Sequence, residues 1–367
     1  MDKMILTAGP SITHKEIDYV TDAIMYGHEE HYNDYVKRFE KAFAEYIGVK
    51  HALATSSCTG AMHLALTALG IGKGDEVIVP DCSWIATASA VVYTGAKPVF
   101  ADILSDSWCI DPDSIEGLIN YDTKAIIPVH LYGHPCEMNR LIDIAREYDI
   151  KIVEDAAPSV GAEYLNKKTG SFGDIGCFSF QGAKILSTEE GGMLVTNNTE
   201  LFEKVKHYSE HGRSGSGFDI SDIGFKYKMT NLQAAMGLGQ LERINELVEK
   251  KRLIYSWYRE CLKDVDSVSL NKQSSKVEKS NYWMTSIVLD SDLEITRDEV
   301  IAKLKKKCID SRPFFPPMSS FPMFNYYDNP VAICIGANGI NLPSAHNRTE
   351  EEIVYICNCI KDILHLK

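Results

Sequence analysis

Lys184 stands in the stretch Cys177-Phe178-Ser179-Phe180-Gln181-Gly182-Ala183-Lys184-Ile185-Leu186-Ser187-Thr188-Glu189-Glu190-Gly191-Gly192. An apolar, strand-like run leads into it and a Gly-Gly pair follows, so an amine is presented where backbone can come close to a ligand. Apolar surroundings disfavour the ammonium form and can leave a lysine neutral near pH 7. A neutral amine attacks carbonyls and forms Schiff bases, with the aldehyde of pyridoxal phosphate among its partners. Taken alone, a lysine after a strand reads as readily as a solvated turn residue. Its company decides the matter.

Upstream, a strand-like run ends in Glu154-Asp155-Ala156-Ala157-Pro158-Ser159. Ligands of parallel α/β sheets sit beyond the carboxyl ends of strands, which is where Asp155 falls. A carboxylate there can pair with a protonated pyridine nitrogen and keep a bound ring electron-withdrawing. Thr55-Ser56-Ser57-Cys58-Thr59-Gly60-Ala61 lies between a strand and a helical pattern. Thr59, Gly60 and the hydroxyls beside them suit a phosphate at a helix N-terminus, although an ordinary Ser/Thr cap explains them too. Ser179 can add a hydroxyl to the same phosphate. Trp84, just past Pro80-Asp81-Cys82-Ser83, offers a face to a flat ring or fills a core.

For these groups to meet, the segments carrying them must form one sheet. Residues 51–55, 76–80, 97–102, 124–130, 150–155, 175–180 and 192–196 read as strands, with amphipathic helices at 61–69, 84–93 and 137–148 between several of them. That alternation predicts an α/β layered domain with a mainly parallel seven-stranded sheet between helices. A long helical pattern from Thr230 through Arg252 leads out of it. The polar stretch 271–280 marks a change of composition. A strand at 282–289, a charged helix at 297–307, a Pro-rich segment at 312–322 and a last helix from Thr349 then predict a smaller α+β domain. We place the division at 1–245 and 246–367, with residues 1–20 free to pack on the small domain. A chain of 367 residues is long enough for both.

Acidic residues outnumber basic ones, 51 to 38, for a net charge of −13. This balance argues against a nucleic-acid polymer or a membrane surface as partner. No apolar run reaches bilayer length, and the first residues do not read as a signal peptide. Ten cysteines without a C-x-x-C pair read as reduced thiols of a cytoplasmic protein rather than disulfides or a metal site.

The ordered motifs identify the chain as resembling the DegT/DnrJ/EryC1/StrS family of pyridoxal-phosphate sugar aminotransferases, of the aspartate-aminotransferase (type I) fold, and most of all its perosamine-synthase-like members. The motifs are Gly74-Asp75-Glu76-Val77-Ile78-Val79-Pro80, Pro128-Val129-His130-Leu131-Tyr132-Gly133, Glu154-Asp155-Ala156-Ala157, Gly170-Ser171-Phe172-Gly173-Asp174, Ser179-Phe180 ahead of Lys184, Tyr227-Lys228-Met229-Thr230-Asn231, Arg312-Pro313-Phe314-Phe315 and Leu342-Pro343-Ser344. The resemblance implies that Lys184 forms the Schiff base with pyridoxal 5'-phosphate and later shuttles a proton. It implies that Asp155 pairs with the ring nitrogen, that Trp84 stacks on the ring, and that Thr59, Gly60 and Ser179 hold the phosphate. Asn231 would reach the cofactor phosphate of a neighbouring subunit, which implies a homodimer with shared sites. A lysine where dehydratase members have histidine favours transamination.

Three positions depart from the family pattern. Pro158 replaces a polar residue, usually glutamine, leaving Ser159 or water to serve the ring hydroxyl; Glu189 precedes Glu190-Gly191-Gly192 in place of glycine; and Asn33-Asp34-Tyr35-Val36 lacks a glycine before Tyr-Val. The expected reaction moves an amino group from an amino acid, L-glutamate first, to the ketone of a nucleotide-linked keto-deoxy sugar in surface-polysaccharide biosynthesis. A small phosphorylated ketone such as dihydroxyacetone phosphate is the alternative acceptor, and a cofactor-binding regulator without turnover is the rival from another class. Arg213, in the glycine-rich loop 211–217, and Arg312 are candidate clamps for a substrate phosphate or carboxylate.

Overall fold

The computed structural model of the protein describes residues 4–214 and 218–364. Its main sheet comprises β1 (His51–Thr55), β2 (Glu76–Pro80), β3 (Lys97–Ala101), β4 (Thr123–Ile126), β5 (Lys151–Asp155), β6 (Ile175–Ser179) and β7 (Gly192–Thr196). They lie in the order β1-β7-β6-β5-β4-β2-β3. The pairings from β6 through β5, β4 and β2 to β3 are parallel, whereas β7 runs antiparallel to both β6 and β1. Only β7 is reversed. The carboxyl ends of all the others therefore share the edge at which β7 begins.

Strand alternation sends neighbouring residues to opposite faces. Val77, Val79, Val153, Cys177 and Leu194 pack beneath the helix Cys58–Ala68. Ile78 and Ile152 turn the other way, onto Leu141 and Ile144 of the helix Met138–Glu147. Phe178 meets Phe43 of the helix Asp34–Ile47, ring centroids 5.0 Å apart. With both faces covered, the strands read as continuous apolar runs. The fourth is shorter than expected, 123–126 against 124–130. Pro128 has no N–H to donate and ends the ladder, while its carbonyl accepts from Asp155 N at 2.9 Å.

The expected helix from Thr230 through Arg252 is two helices, Asn231–Leu241 and Ile244–Leu262. At the break, the Arg243 guanidinium donates to the Glu16 carboxylate at 2.9 Å and to the Ser11 carbonyl at 3.2 Å. Thr230, Thr296 and Thr349 each form a capping box with the Gln or Glu three residues on, which sets three helix starts.

A second sheet, antiparallel, orders Val268–Leu270, Ser286–Leu289, Gly339–Asn341 and Arg312–Pro313. Its core gathers Tyr258, Ile287, Val300, Ile340 and Ile356. Ile5 joins that core and bridges to Ile309, and the Thr7 carbonyl accepts from Ser344 N at 2.8 Å. Residues 5–7 thus pack with the C-terminal part, while the helix His14–Tyr26 packs on Asn231–Leu241. The expected strand 282–289 begins at Ser286, because Tyr282 takes φ +50° and the chain before it turns towards the main sheet.

Lys251, 2 % exposed, is buried within the C-terminal part. Its amine donates to the Ser344 carbonyl and meets no carboxylate among the described residues, and burial pushes its pKa down from 10.5 to about 7. The folded lysine releases its proton near pH 7 and the unfolded one only above pH 10, so unfolding takes up a proton between them. Stability from this group therefore rises with pH across that window, and the penalty is fully present below it. Lys251→Met is expected to flatten this rise and to stabilise the protein at pH 6 by roughly 1–3 kcal/mol. Thermal melts from pH 6 to 10 test it; a variant profile parallel to wild type would refute the assignment.

Candidate active site

The carboxyl edge of the main sheet collects the groups singled out in the sequence. Asp155 is the last residue of β5 and is 4 % exposed. Its carboxylate accepts from the Thr87 hydroxyl at 2.8 Å and from Ala157 N at 3.1 Å. Burial pushes its pKa up, and these hydrogen bonds together with the charge of Lys184 oppose that rise. Glu154 points to the other side of the strand and does different work. It accepts from the N–H groups of Gly170, Phe172 and Gly173 and from His130 Nε2. The Glu-Asp pair thus divides into a brace for the loop at 170–174 and an anion at the site.

Lys184 sits in the β6–β7 connection, which is closed by Gly182 N to the Glu189 carbonyl and Phe180 N to the Gly191 carbonyl. The residue is half-buried, and desolvation of its amine pushes the pKa down to about 8 against the opposing pull of the Asp155 carboxylate. Nζ lies 3.5 Å from the centroid of the Trp283 ring. Glu189 takes φ +64°, a left-handed conformation that favours glycine, with its side chain exposed. Asn33 takes φ +65° as well; asparagine tolerates that region better than most side chains, which accounts for a turn without glycine there.

At the start of the helix Cys58–Ala68, Ser57 is the cap and accepts from Gly60 N at 3.0 Å. The N–H groups of Cys58 and Thr59 have no hydrogen-bond partner among the described residues. A Cβ on Gly60 would lie 3.0 Å from the Tyr227 ring, and one on Gly192 would lie 2.6 Å from Cys58 N. Glycine at both positions lets β7 and Tyr227 close around the helix end. Cap and anion site coexist here, since the cap uses one N–H and leaves two. Ser179, at the end of β6, is buried. Trp84, past β2, is 62 % exposed and tilted on Phe315 with centroids 5.9 Å apart.

Asn231 is the first residue of its helix, and Thr230 is the cap. Its side-chain oxygen accepts from Tyr35 N at 3.0 Å, and its Nδ2 is buried without a partner, aimed at Gly27. Arg213 is exposed, and the loop holding it extends into residues 215–217, outside the described ones. Arg312 is exposed and 3.8 Å from Asp310. Neither arginine hydrogen-bonds or ion-pairs with Lys184 or Asp155. Ser159 does not stand in for a polar residue at 158. Its hydroxyl is fully buried against the Ala156 carbonyl and Thr169, and Pro158 lends only its carbonyl, to Asn281. Thr87 and Trp283 were not foreseen. Thr87 follows Trp84 at the start of a helix, the one hint available; Trp283 gave none, because it sits in a run that reads as a strand.

These residues fit pyridoxal 5'-phosphate. Free N–H groups and the Thr59 and Ser179 hydroxyls suit its phosphate, a buried carboxylate its ring nitrogen, and an amine of lowered pKa its aldehyde.

The sequence matches the DegT/DnrJ/EryC1/StrS aminotransferase family over residues 10–361. It is 40 % identical over 363 residues to the GDP-perosamine synthase of Escherichia coli O157:H7, covering 98 % of each chain. Among solved structures, a Streptococcus pneumoniae protein described as a sugar aminotransferase, in its PLP form, superposes with TM-score 0.90 at 29 % identity, covering 99 % of both chains. DesI, solved with its TDP-sugar product, superposes with TM-score 0.91 at 26 % identity, covering 99 % of this chain and 94 % of that one.

Proposed function

This chain belongs to the DegT/DnrJ/EryC1/StrS aminotransferase family, and from that premise we propose that it carries the amino group of L-glutamate to the ketone of a nucleotide-linked keto-deoxy sugar for surface polysaccharide. Likeness to GDP-perosamine synthase over 98 % of both chains carries the acceptor class. The enzyme is a pyridoxal 5'-phosphate-dependent aminotransferase.

When bound, the cofactor supplies a ring that withdraws the charge left as a proton leaves the substrate carbon. The chain's residues do the rest. Lys184, with a pKa pushed down to about 8, holds a useful neutral fraction near neutral pH, and its amine removes the proton at the substrate carbon and returns it at the next. The Asp155 carboxylate, held by Thr87 and Ala157, keeps a proton on the ring nitrogen. The free N–H groups of Cys58 and Thr59 and the hydroxyls of Thr59 and Ser179 anchor the phosphate at a helix N-terminus, while the Gly60 N–H, expected to join them, is taken by the Ser57 cap. Trp84 covers one ring face. Arg213 and Arg312 remain the candidate clamps for substrate anions.

The reading includes a homodimer, in which the Asn231 amide, unpartnered and facing Gly27 within its own chain, would swing to the neighbour's phosphate. The bare Phe218 and Ile223 side chains, 100 % and 92 % exposed, suit burial against a second copy. Residues 1–245 form the cofactor-binding part and 246–367 the small one, onto which residues 5–7 pack. We place the enzyme in the cytoplasm, since all ten cysteines are unpaired. No helix among the described residues is long and apolar enough to cross a membrane.

The test is a two-stage assay. Protein converted by glutamate to its aminated form is mixed with keto-sugar nucleotides and with dihydroxyacetone phosphate. A keto-sugar nucleotide is expected to restore the starting absorbance at least about tenfold faster than the triose phosphate. Preference for the triose phosphate would reverse the acceptor, and no response to any donor amino acid would remove the enzyme reading. A sedimentation mass of one chain would remove the shared site.

A further inference from the structure

Trp283 belongs to the C-terminal part of the chain, yet its ring lies beside the reactive amine. Lys184 Nζ is 3.5 Å from the ring centroid, and the indole N–H donates to the Ala183 carbonyl at 2.7 Å. The ring is 7 % exposed and stacks on Tyr132 at 5.9 Å and 27°. Behind it, Trp283 N donates to the Asn281 side-chain oxygen at 2.8 Å, and the Asn281 amide donates to the carbonyls of Pro158 and Val160 at 3.0 and 2.9 Å. Asn281 N and the Ser280 hydroxyl both reach the Gly133 carbonyl. One turn, 280–283, therefore ties together the loop after β4, the loop after Asp155 and the loop carrying Lys184.

We propose that Trp283 is a positioning residue that sets both the direction and the charge of the Lys184 amine, with Asn281 locking it to the Asp155 loop. Two physical effects act at once. The indole N–H holds the backbone one residue before Lys184, which aims the side chain. The electron-rich face of the ring favours the ammonium over the neutral amine, and does so most strongly where water is excluded. The groups facing the amine are then the Asp155 carboxylate from the sheet edge, whose charge favours the proton, the Cys58 thiol from the helix start, which burial keeps protonated and neutral, and Trp283 from the opposite side. Burial opposes the carboxylate and the ring. The ring thus keeps the amine from losing its proton too readily.

The inference rests on Lys184 being the reactive amine, and the experiment separates the two. In cofactor-free protein, the acetylation of Lys184 by acetic anhydride is followed against pH by peptide mass spectrometry, beside kcat and the glutamate KM of the loaded enzyme. Trp283→Leu removes the face and the N–H; its acetylation midpoint is expected to fall by about one pH unit. Trp283→Phe keeps a face and loses the N–H, so it should retain the wild-type midpoint while kcat drops about tenfold at unchanged KM. Leucine and phenylalanine variants that both match wild type in midpoint and kcat would overturn the proposal, and if the leucine variant does not fold, kcat of the phenylalanine variant decides. Wild-type protein that neither binds pyridoxal phosphate nor turns over would sink the underlying reading of Lys184 instead.

Discussion

Lys184→Ala is expected to abolish transamination, with kcat lower by about 10³-fold or more, while the protein keeps its fold. The size of the effect follows from two tasks on one atom. In the proposed reaction the amine would be both the group that captures the cofactor aldehyde and the base that moves the substrate proton. The mildness of the structural effect follows from the loop. Its closure uses backbone groups, Lys184 N to the Gln181 carbonyl and Gly182 N to the Glu189 carbonyl, none of which alanine removes. Single-turnover mixing with glutamate, followed by absorbance and product mass, measures the loss; a thermal melt checks the fold. Turnover within tenfold of wild type would reassign the base. A companion measurement on wild type uses the pKa itself. Because only the neutral amine attacks the aldehyde, the rate of cofactor loading into cofactor-free protein should climb with pH and level off above about 8.

The sheet was legible because its central strands are mostly apolar runs buried on both faces, as in Val77–Val79 and Ile152–Val153, and β1, β2, β5 and β6 reach the ligand edge in Thr55, Pro80, Asp155 and Ser179. The candidate site could be read from the same pattern: Asp155 and Ser179 close their strands, Trp84 lies shortly past Pro80, and the sheet order brings all three to one edge. What the sequence hid depends on contacts between distant segments. The strand expected at 282–289 loses its first half because Tyr282 turns at φ +50° and Asn281 is captured by carbonyls at Pro158 and Val160. No local pattern announces such a capture. The single helix expected across Glu242 divides because Arg243 and Gln240 both reach back to Ser11 and Glu16. Ser159 seemed placed to serve the cofactor ring, yet Thr169, ten residues on, claims its hydroxyl.

Asp155→Asn is expected to lower kcat by about 10²–10³-fold while leaving the melting temperature within a few degrees of wild type. Asparagine keeps the shape and one acceptor oxygen, so either Thr87 or Ala157 retains its bond, but it carries no charge with which to hold a proton on the ring nitrogen. Its loss also removes the carboxylate charge that favours protonation of Lys184, so the pH midpoint of Lys184 acetylation in cofactor-free protein should move down. Glu154→Gln, one residue away, is the control with the opposite signature. Glu154 is fully buried and accepts from three backbone N–H groups and His130, so its loss should destabilise by about 2–4 kcal/mol and leave the Lys184 midpoint in place. If the two variants showed the same pattern, with stability and rate falling together, Asp155 would be another brace of the fold. Separation of the two patterns, by contrast, assigns the structural load of the Glu-Asp pair to one carboxylate and the chemistry to the other.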